Sequence, residues 1–351
     1  GMLQALFEYQ SLISELTGLE VSNSSTYDWA SALGEAALMT TRLTGRDKFV
    51  VPEMMSTERL SVLQSYSSGP GLKLVKASQD RETGQIDLSD LEDKVDDDTA
   101  GVYLENPNYL GVLEEKVDVV SDMASDVGAK FVVGVNPVSL GLLKPPAEYG
   151  ADIVVGEGQP LGIPASFGGS TLGIFSCRND SDFLRNMPGR VMGMTRTEDG
   201  ETRGFCMALQ EREQHASREG ATSNLCTTQA LNAVSAAIYL SSMGPSGLRE
   251  VAKTCAGNAR YAMRGLDEID GVTAPAFDSP HFNEFVVRFD GTDYSPEEVN
   301  SKLLERGIHG GKPLGGEFSV LQGSSLWCTT EVHTKEDIDW MIDSLKDVLE
   351  G

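Results

Sequence analysis

The sequence predicts an α/β protein in which a large, mostly parallel sheet comes first and a smaller α/β domain follows. Short apolar segments alternate with helical patterns through the first half of the chain. The predicted strands cover residues 48–51, 72–76, 100–105, 131–135 and 151–155. Apolar strands separated by helices are typical of a parallel sheet with helices on both faces.

The order of elements changes after Gly244-Pro245 to helix, strand, helix, strand, helix. This change predicts a large domain at residues 1–243 and a small C-terminal α/β domain at residues 244–351. The predicted elements of the small domain are helices at 247–269, 295–306 and 335–350 and strands at 282–289 and 324–329. Two of these helices begin with capping boxes, at Ser295 and at Thr334, so their starts are well defined.

The first domain is predicted to begin with a helix, because Leu6, Tyr9, Ile13 and Leu16 share one helical face and Gly18 follows as a stop signal. Further helices are predicted at residues 56–66 and 117–127. Two short segments, 191–195 and 204–209, are joined across Asp199-Gly200 and predict a hairpin. A long helix is then predicted to begin near residue 222.

The charge balance argues against nucleic acid as a partner. The chain has 53 acidic and 28 basic side chains, a net charge of -25, and the acids are spread along its length. Such a surface fits a protein that works at high internal salt, where charge repulsion is screened, and it fits an ordinary acidic enzyme equally well. Composition leaves both interpretations open.

The sequence gives no sign of a membrane segment or a metal site. No apolar run approaches the roughly 20 residues that cross a bilayer, and the first residues do not resemble a signal peptide, so we expect a cytoplasmic protein. The five cysteines lie far apart with no CxxC, and the four histidines have no ligand spacing. We therefore predict no bound metal.

Seven segments carry a resemblance to a known family. They read LQALFEY (3–9), ENPN (105–108), SLGLLKPP (139–146), YGADIVVGEGQPLGIP (149–164), MPGR (187–190), REQH (212–215) and ATSN (221–224). Together they closely resemble subunit 1, the N-terminal-half subunit, of decarboxylating glycine dehydrogenase, which is the P-protein of the glycine cleavage system. The family pattern continues upstream of this chain, so we expect the family's N-terminal segment, with some substrate-site residues, to be absent here.

The resemblance implies a fold, an activity and partners. The fold would be that of fold-type-I pyridoxal-phosphate-dependent transferases, the aspartate aminotransferase superfamily. The activity would be decarboxylation of glycine with transfer of the aminomethyl group to a lipoylated carrier, the H-protein. In two-subunit forms of the family the cofactor lysine belongs to subunit 2, the catalytic subunit. The chain would then be a subunit that supports the cofactor site without binding pyridoxal phosphate covalently.

The residues of this chain support that division of labour. A Schiff-base enzyme needs a lysine just after a strand at the carboxyl edge of the sheet. In the alignment with the catalytic subunit, Gln159 and Pro160 stand where that subunit has a His-Lys pair, and no lysine occurs between Lys144 and Lys253. The acid that the pyridine nitrogen requires is also replaced, by Asn136. We therefore predict no catalytic residue in this chain.

Two lysines remain as alternatives for the missing nucleophile. Lys144 precedes the predicted strand at 151–155, and Lys312 lies in a glycine-rich loop of the small domain. A suitably placed lysine would make the chain an autonomous pyridoxal-phosphate enzyme, such as an aminotransferase or a desulfurase. A second alternative is a scaffold or regulatory protein that kept the fold and lost its connection with glycine.

Six residues are candidates for contacts with substrate or with a partner subunit: Asn108, Arg190, His215, Arg218, Thr222 and Asn224. Asn108 follows a strand end, where ligands of α/β sheets approach, although Asn-Pro-Asn is also common turn chemistry. Arg190 could bind a carboxylate or phosphate through its planar guanidinium, or be an ordinary surface arginine. His215 and Arg218 precede the predicted long helix, and the segment from Thr222 to Asn224 resembles a cap whose amides could hold an anion. Solvated surface residues are the alternative.

Overall fold

The computed structural model describes residues 1–350, which form two compact units. Unit 1 contains Gly1–Ala77, Leu88–Asn106 and Lys116–Leu248, and unit 2 contains Ser78–Asp87, Pro107–Glu115 and the chain from Arg249 onward. The sequence-based division at residues 243/244 did not include the two short segments that leave the first part of the chain to join unit 2. Local patterns give no signal for such excursions.

Unit 1 is built on a seven-stranded sheet. Its strands are β1 (Val21–Ser22), β2 (Lys48–Pro52), β3 (Lys73–Ala77), β4 (Thr99–Glu105), β5 (Lys130–Val135), β6 (Ile153–Glu157) and β7 (Gly173–Cys177). Within the described chain the strand order is β1-β7-β6-β5-β4-β2-β3. The pairs from β3 to β6 are parallel, whereas β7 runs antiparallel to both β6 and β1. The prediction of a mostly parallel sheet is confirmed.

Helices cover the sheet of unit 1. They are α1 (Met2–Thr17), α2 (Trp29–Thr44), α3 (Thr57–Ser68), α4 (Leu88–Lys94), α5 (Val117–Asp126), α6 (Ser181–Asn186) and α7 (Gln214–Ser217). The face of α1 that carries Leu6, Tyr9 and Ile13 is buried, and Gly18 ends the helix in the left-handed conformation, as predicted. Helix α2 was not predicted, although most of its side chains are buried and it packs against the middle of the sheet.

A two-stranded ribbon follows the sheet and confirms the predicted hairpin. Strand β8 (Val191–Arg196) pairs antiparallel with β9 (Arg203–Ala208). The long helix α8 (Ala230–Asp267) begins eight residues after the position predicted for it, so the prediction of a start near Thr222 was wrong. Gly244, with φ 61° and ψ -178°, breaks the helical geometry just before Pro245, and the two predicted helices therefore meet at this kink.

Unit 2 contains a three-stranded antiparallel sheet among its described residues. Strands β10 (Glu284–Arg288) and β11 (Lys312–Pro313) both pair with β12 (Ser324–Cys328). Helices α9 (Pro296–Glu305) and α10 (Lys335–Glu350) pack against this sheet with the second part of α8. Both predicted capping boxes are present, since Ser295 and Glu298 bond each other's backbone N–H groups and Thr334 and Asp337 do the same.

None of the helices in residues 1–350 combines the length and apolar character needed to span a bilayer.

Candidate functional site

The carboxyl ends of the parallel strands lie along one edge of the sheet in unit 1, where ligands of α/β folds are usually bound. Strand β4 ends at Glu105, β5 ends just before Asn136, and β6 ends at Glu157. The first turn of α2 lies at this edge, because the backbone N–H of Trp29 donates a 3.3 Å hydrogen bond to Glu157 Oε2. This edge is the candidate functional site.

A buried polar network joins α3, β4 and α2 at this edge. The Arg59 guanidinium donates to Glu105 Oε2 at 3.0 Å and lies 4.0 Å from the Trp29 ring centroid. The Tyr103 hydroxyl donates to Glu105 Oε1 at 2.9 Å and accepts from Trp29 Nε1 at 3.0 Å. Burial raises the pKa of Glu105, while Arg59 and Tyr103 act in the opposite direction. The network holds the carboxylate through one ion pair and one hydroxyl.

The aromatic side chains of this network fill space beside β5. Gly134 has no side chain, and a Cβ at this position would lie 2.4 Å from the Tyr103 hydroxyl and 2.8 Å from the Trp29 ring. The two side chains therefore depend on glycine here, and together they cover the end of β5 on that face. A flat heteroaromatic ring could not occupy the same volume.

The N-terminus of α2 is already satisfied by two carboxylates. Asp28 accepts the Ser31 N–H at 2.7 Å, and Ser31 Oγ accepts the Asp28 N–H at 3.1 Å, which completes a capping box. Glu157 accepts from Trp29 and also from the backbone N–H groups of Gln159 and Leu172, at 3.0 and 2.8 Å. A helix N-terminus commonly binds phosphate, but here the positions for an anion hold the protein's own negative groups.

The carboxylate of Asp28 lies close enough to affect the charge of Glu157, and Glu157 is also partly buried. Burial raises the pKa of Glu157 although three backbone N–H groups stabilise the charge, and the nearby negative charge of Asp28 raises that pKa further. A phosphate placed at the start of α2 would meet both carboxylates. Neighbouring negative charges repel each other strongly in a partly buried site.

The positions that would hold the reactive parts of a pyridoxal phosphate are also otherwise engaged. Gln159 donates its Nε2 to the Ile163 carbonyl at 2.6 Å and stabilises the turn after β6, while Pro160 is exposed. Asn136 accepts the Val138 N–H at 3.1 Å and so turns its side-chain oxygen into its own loop. The residues at this edge offer neither an amine, nor an acid for the ring nitrogen, nor an anion site. They do not fit the cofactor.

The two alternative lysines are placed differently. Lys144 is exposed and precedes β6. Lys312, in unit 2, forms an ion pair with Glu317 and donates to the Tyr109 hydroxyl at 2.9 Å. Burial lowers the pKa of Lys312, but the bonds to Glu317 and Tyr109 outweigh burial and raise it. A lysine held as a cation in this way is a poor nucleophile at neutral pH.

Asn108 belongs to unit 2 and uses its side chain to organise a loop. Its Nδ2 donates to the Gly84 carbonyl at 2.9 Å and to Glu114 Oε1 at 3.0 Å, and its Oδ1 accepts the N–H groups of Leu110 and Val112. The residue is buried. This geometry supports the structural interpretation of the Asn-Pro-Asn sequence.

Arg190 and His215 line the same cleft of unit 1, which has a volume of about 340 Å³. The Arg190 guanidinium also donates to the Cys226 carbonyl at 3.0 Å, and His215 lies in the short exposed helix α7. Their roles in substrate or partner binding stay predictions.

The remaining candidates are not at a helix N-terminus, because α8 begins only at Ala230. Arg218 is exposed at the end of α7. Thr222 donates to the Arg185 carbonyl at 3.2 Å, and Asn224 accepts from Gln214 Nε2 at 3.0 Å. The prediction that this segment caps the long helix was therefore wrong, while a role in binding an anion stays a prediction. Thr222 and Asn224 instead line a second cleft of unit 1.

Several important residues at the sheet edge were not singled out from the sequence: Asp28, Trp29, Arg59 and Tyr103. The sequence contains one usable signal, since Asp28 precedes a segment rich in alanine and leucine and is a favourable N-cap residue. The side-chain network itself spans large distances along the chain. In the part of the chain that the structure describes, no group of three or more His, Cys, Asp or Glu residues could hold a metal.

This combination of a seven-stranded sheet and a C-terminal α/β unit defines a class of protein, the fold-type-I pyridoxal-phosphate-dependent enzymes. The cysteine desulfurase from Thermococcus onnurineus has this fold, with a TM-score of 0.70 and 20% identity over 99% of this chain and 84% of that one. A sphingosine-1-phosphate lyase from Burkholderia pseudomallei is similar, with a TM-score of 0.69 and 14% identity over 99% of this chain and 74% of that one. At these identities the likeness shows the fold alone.

The chain belongs to the glycine cleavage system P-protein family, whose model matches residues 1–345. The probable glycine dehydrogenase (decarboxylating) subunit 1 of Thermococcus onnurineus is 49% identical over 348 residues, which are 99% of this chain and 76% of that protein. The protein of the same name from Staphylothermus marinus is 46% identical over 350 residues, 99% of this chain and 74% of that one. A crystal structure of an inhibitor-bound glycine decarboxylase (P-protein) has a TM-score of 0.92 and 40% identity, covering 99% of this chain and 76% of that one. The predicted family and fold are confirmed, and the chain is a P-protein subunit of an enzyme.

Proposed function

We propose that this chain is the P-protein subunit without a Schiff-base lysine. It helps to shape the site of a second, catalytic subunit that carries pyridoxal phosphate. The assembled enzyme decarboxylates glycine and transfers the aminomethyl group to the lipoyl group of the H-protein. We place this reaction in the cytoplasm, and the five free cysteines are compatible with a reducing compartment.

The observation that carries the proposal is the N-terminus of α2, where Asp28 and Glu157 occupy the positions for an anion. A subunit that bound the cofactor phosphate there would leave those N–H groups free. Gln159 and Asn136, each engaged in a local turn, support the same conclusion because they replace an amine and an acid. This chain then contributes the carboxyl edge of its sheet, which buried polar contacts hold rigid, as a surface for the partner subunit.

The proposal is tested with this chain alone, with the catalytic subunit alone and with both together. Glycine-dependent exchange of carbon dioxide is measured in the presence of lipoylated H-protein and pyridoxal phosphate. Each sample is also reduced with borohydride, and the site of any covalently trapped cofactor is located by peptide mass spectrometry. We expect exchange in the mixture and trapped cofactor on the catalytic subunit.

Other results would support the alternative functions. Exchange by this chain alone, or trapped cofactor on Lys144 or Lys312, would refute the proposal and indicate an autonomous pyridoxal-phosphate enzyme. A catalytic subunit that is equally active with and without this chain would indicate a scaffold or regulatory role. The substitution Gln159→Lys gives a control for the trapping step, because we expect it to trap no cofactor while Asp28 and Glu157 remain.

A further inference from the structure

A second cleft in unit 1 has a volume of about 590 Å³. One wall comes from α2 and another from the end of α3, where Tyr66 packs its ring against the backbone of Gly34. A Cβ on Gly34 would come within 2.5 Å of that ring, so the position of the ring is fixed by close packing. The third wall is the segment at residues 219–224.

Glu35 of α2 lines this cleft and is 2% exposed. Its Oε1 accepts from the Ser223 hydroxyl at 2.7 Å. Its Oε2 is buried and has no hydrogen-bond partner among the residues that the structure describes. A buried carboxylate oxygen without a donor is unusual, since desolvation of such a group is costly unless a donor or a cation compensates it.

The nearest cation in the chain does not fill this role. Arg42 lies two turns further along α2 and attracts the Glu35 charge, but its guanidinium donates to the side chain and the carbonyl of Asn186, at 3.3 and 3.0 Å. Within residues 1–350 no basic side chain lines the cleft, whereas a second acid, Glu219, does. The lining of the cleft therefore supplies a second acid and no cation.

Burial is the main cause of the pKa shifts of the groups in this cleft. Burial raises the pKa of Glu35, and the Ser223 hydrogen bond and Arg42 only partly offset it. Burial, with the negative charges of Glu35 and Asp28, raises the pKa of Tyr66 to about 12. A positive ligand group in the cleft would pair with Glu35 Oε2 and favour the charged form of this carboxyl.

We propose that this cleft binds an ammonium or guanidinium group carried on an aliphatic stem, with Glu35 Oε2 as its principal acceptor. Leu38 and the Tyr66 ring supply apolar surface for the stem, and an aromatic face also favours a cation. A ligand without a carboxylate suits the cleft best, because Glu35 and Glu219 are both acidic. Two sources fit this chemistry, a lysine or arginine side chain of a partner chain and a free amine.

The test uses the full chain in an amine-free buffer. Binding of n-butylammonium and n-butylguanidinium is measured by isothermal titration calorimetry, with n-butanol as a neutral ligand of similar shape. We expect both cations to bind more tightly than the alcohol. Glu35→Gln, which keeps the shape of the side chain, should weaken cation binding about tenfold or more, since a charged hydrogen bond is lost. Glu219→Gln, on the exposed rim, should change it by less than about threefold.

Some results would overturn the proposal. Equal binding of the alcohol and the cations by the wild-type chain would remove the role of charge, and this comparison requires no variant. Cation binding unchanged in Glu35→Gln would remove the role of the buried carboxylate. A thermal melt of the variant shows that it is folded.

A second measurement separates the two sources. Association of this chain with the catalytic subunit is followed by analytical ultracentrifugation, for the wild type and for Glu35→Gln. Association weakened by the substitution identifies a basic side chain of that subunit as the ligand. Unchanged association, together with Glu35-dependent cation binding, identifies a free amine. The calorimetric test requires neither pyridoxal phosphate nor the catalytic subunit, so its outcome is independent of the function proposed above. The association measurement rests on that function.

Discussion

The ion pair between Arg59 and Glu105 gives the sharpest prediction for the sheet edge. The substitution Arg59→Met keeps much of the apolar stem but removes the guanidinium 3.0 Å from a carboxylate that is 1% exposed. Tyr103 can still donate to Glu105, but the charge loses its counter-ion. Orphaning one partner of a buried pair typically costs about 3–5 kcal/mol.

The expected cost can also be calculated from the carboxylate itself. Without Arg59, burial raises the pKa of Glu105 further, and the carboxyl must take up a proton to remain buried. Protonating a carboxyl whose ordinary pKa is 4.5 costs about 3 kcal/mol near pH 7 and about 1 kcal/mol near pH 5, at about 1.4 kcal/mol for each pH unit. Burial already raises this pKa in the wild type, so part of the cost is present before the substitution. The variant's loss of stability should therefore be at most about 3 kcal/mol near pH 7 and much smaller near pH 5.

The assay is urea denaturation followed by circular dichroism at both pH values. A matched control is Arg185→Met, which removes an arginine from an exposed pair with Asp182 and should change the unfolding free energy by less than about 1 kcal/mol. The double variant Arg59→Met with Glu105→Gln should recover most of the loss, since no buried charge remains. A loss that is equal at the two pH values, or no recovery in the double variant, would refute this reasoning.

Three further changes test other parts of the structure by the same urea assay. Asp28→Ala removes the N-cap of α2 and should cost about 1 kcal/mol, whereas Asp28→Ser should restore most of it, and equal losses would contradict the capping role. Gly111→Ala should cost about 3 kcal/mol because φ is +83° and the new Cβ would lie 1.9 Å from the Glu284 carbonyl oxygen; Gly45→Ala, also at positive φ but in open space, should cost only about 1 kcal/mol. Burial raises the pKa of Glu35, so the stability that this carboxyl contributes is complete below about pH 4.5 and is lost as the pH rises through the folded-state pKa. The unfolding free energy of Glu35→Gln should therefore rise relative to that of the wild type over this pH range. A difference in unfolding free energy that stays constant with pH would show that the carboxyl does not titrate in this way.

Local sequence signals were sufficient for much of the fold. The parallel strands of unit 1, the hairpin and the second-domain helices follow from apolar periodicity and from capping boxes whose partners are three residues apart, as Ser295 and Glu298 show. Such signals are complete within a few residues. The local structures that they predict are kept in the folded chain because tertiary contacts favour the same structures.

The start of α8 shows where local signals fail. Thr222 to Asn224 looked like a helix cap, but residues 221–229 are held outside the helix by contacts with other parts of the chain. The Gln229 N–H, for example, donates to Ser25 Oγ at 2.9 Å, across 204 positions of sequence. A capping preference of about 1 kcal/mol is easily outweighed by several such bonds.

At the candidate site, the sequence predicted which residue types are missing, but it did not predict how the remaining side chains are arranged. Missing lysine and acid residues can be read from an alignment position such as Gln159, because a residue type alone excludes the chemistry. The polar network cannot be read in this way, since Trp29 and Tyr103 are 74 positions apart and meet only because α2 crosses the end of β5. Its geometry depends on the order of strands in the sheet.

The two outer strands of the seven-stranded sheet limit how another protein chain can attach to it. Strand β1 has only two residues, and β3 presents exposed Lys73 and Lys76 along its length. Short edges and edge lysines are features that discourage a foreign strand from extending a sheet. The seven-stranded sheet is thus protected from edge-to-edge aggregation, and a partner that binds at this sheet is expected to recognise side chains and loops instead of adding a strand of its own.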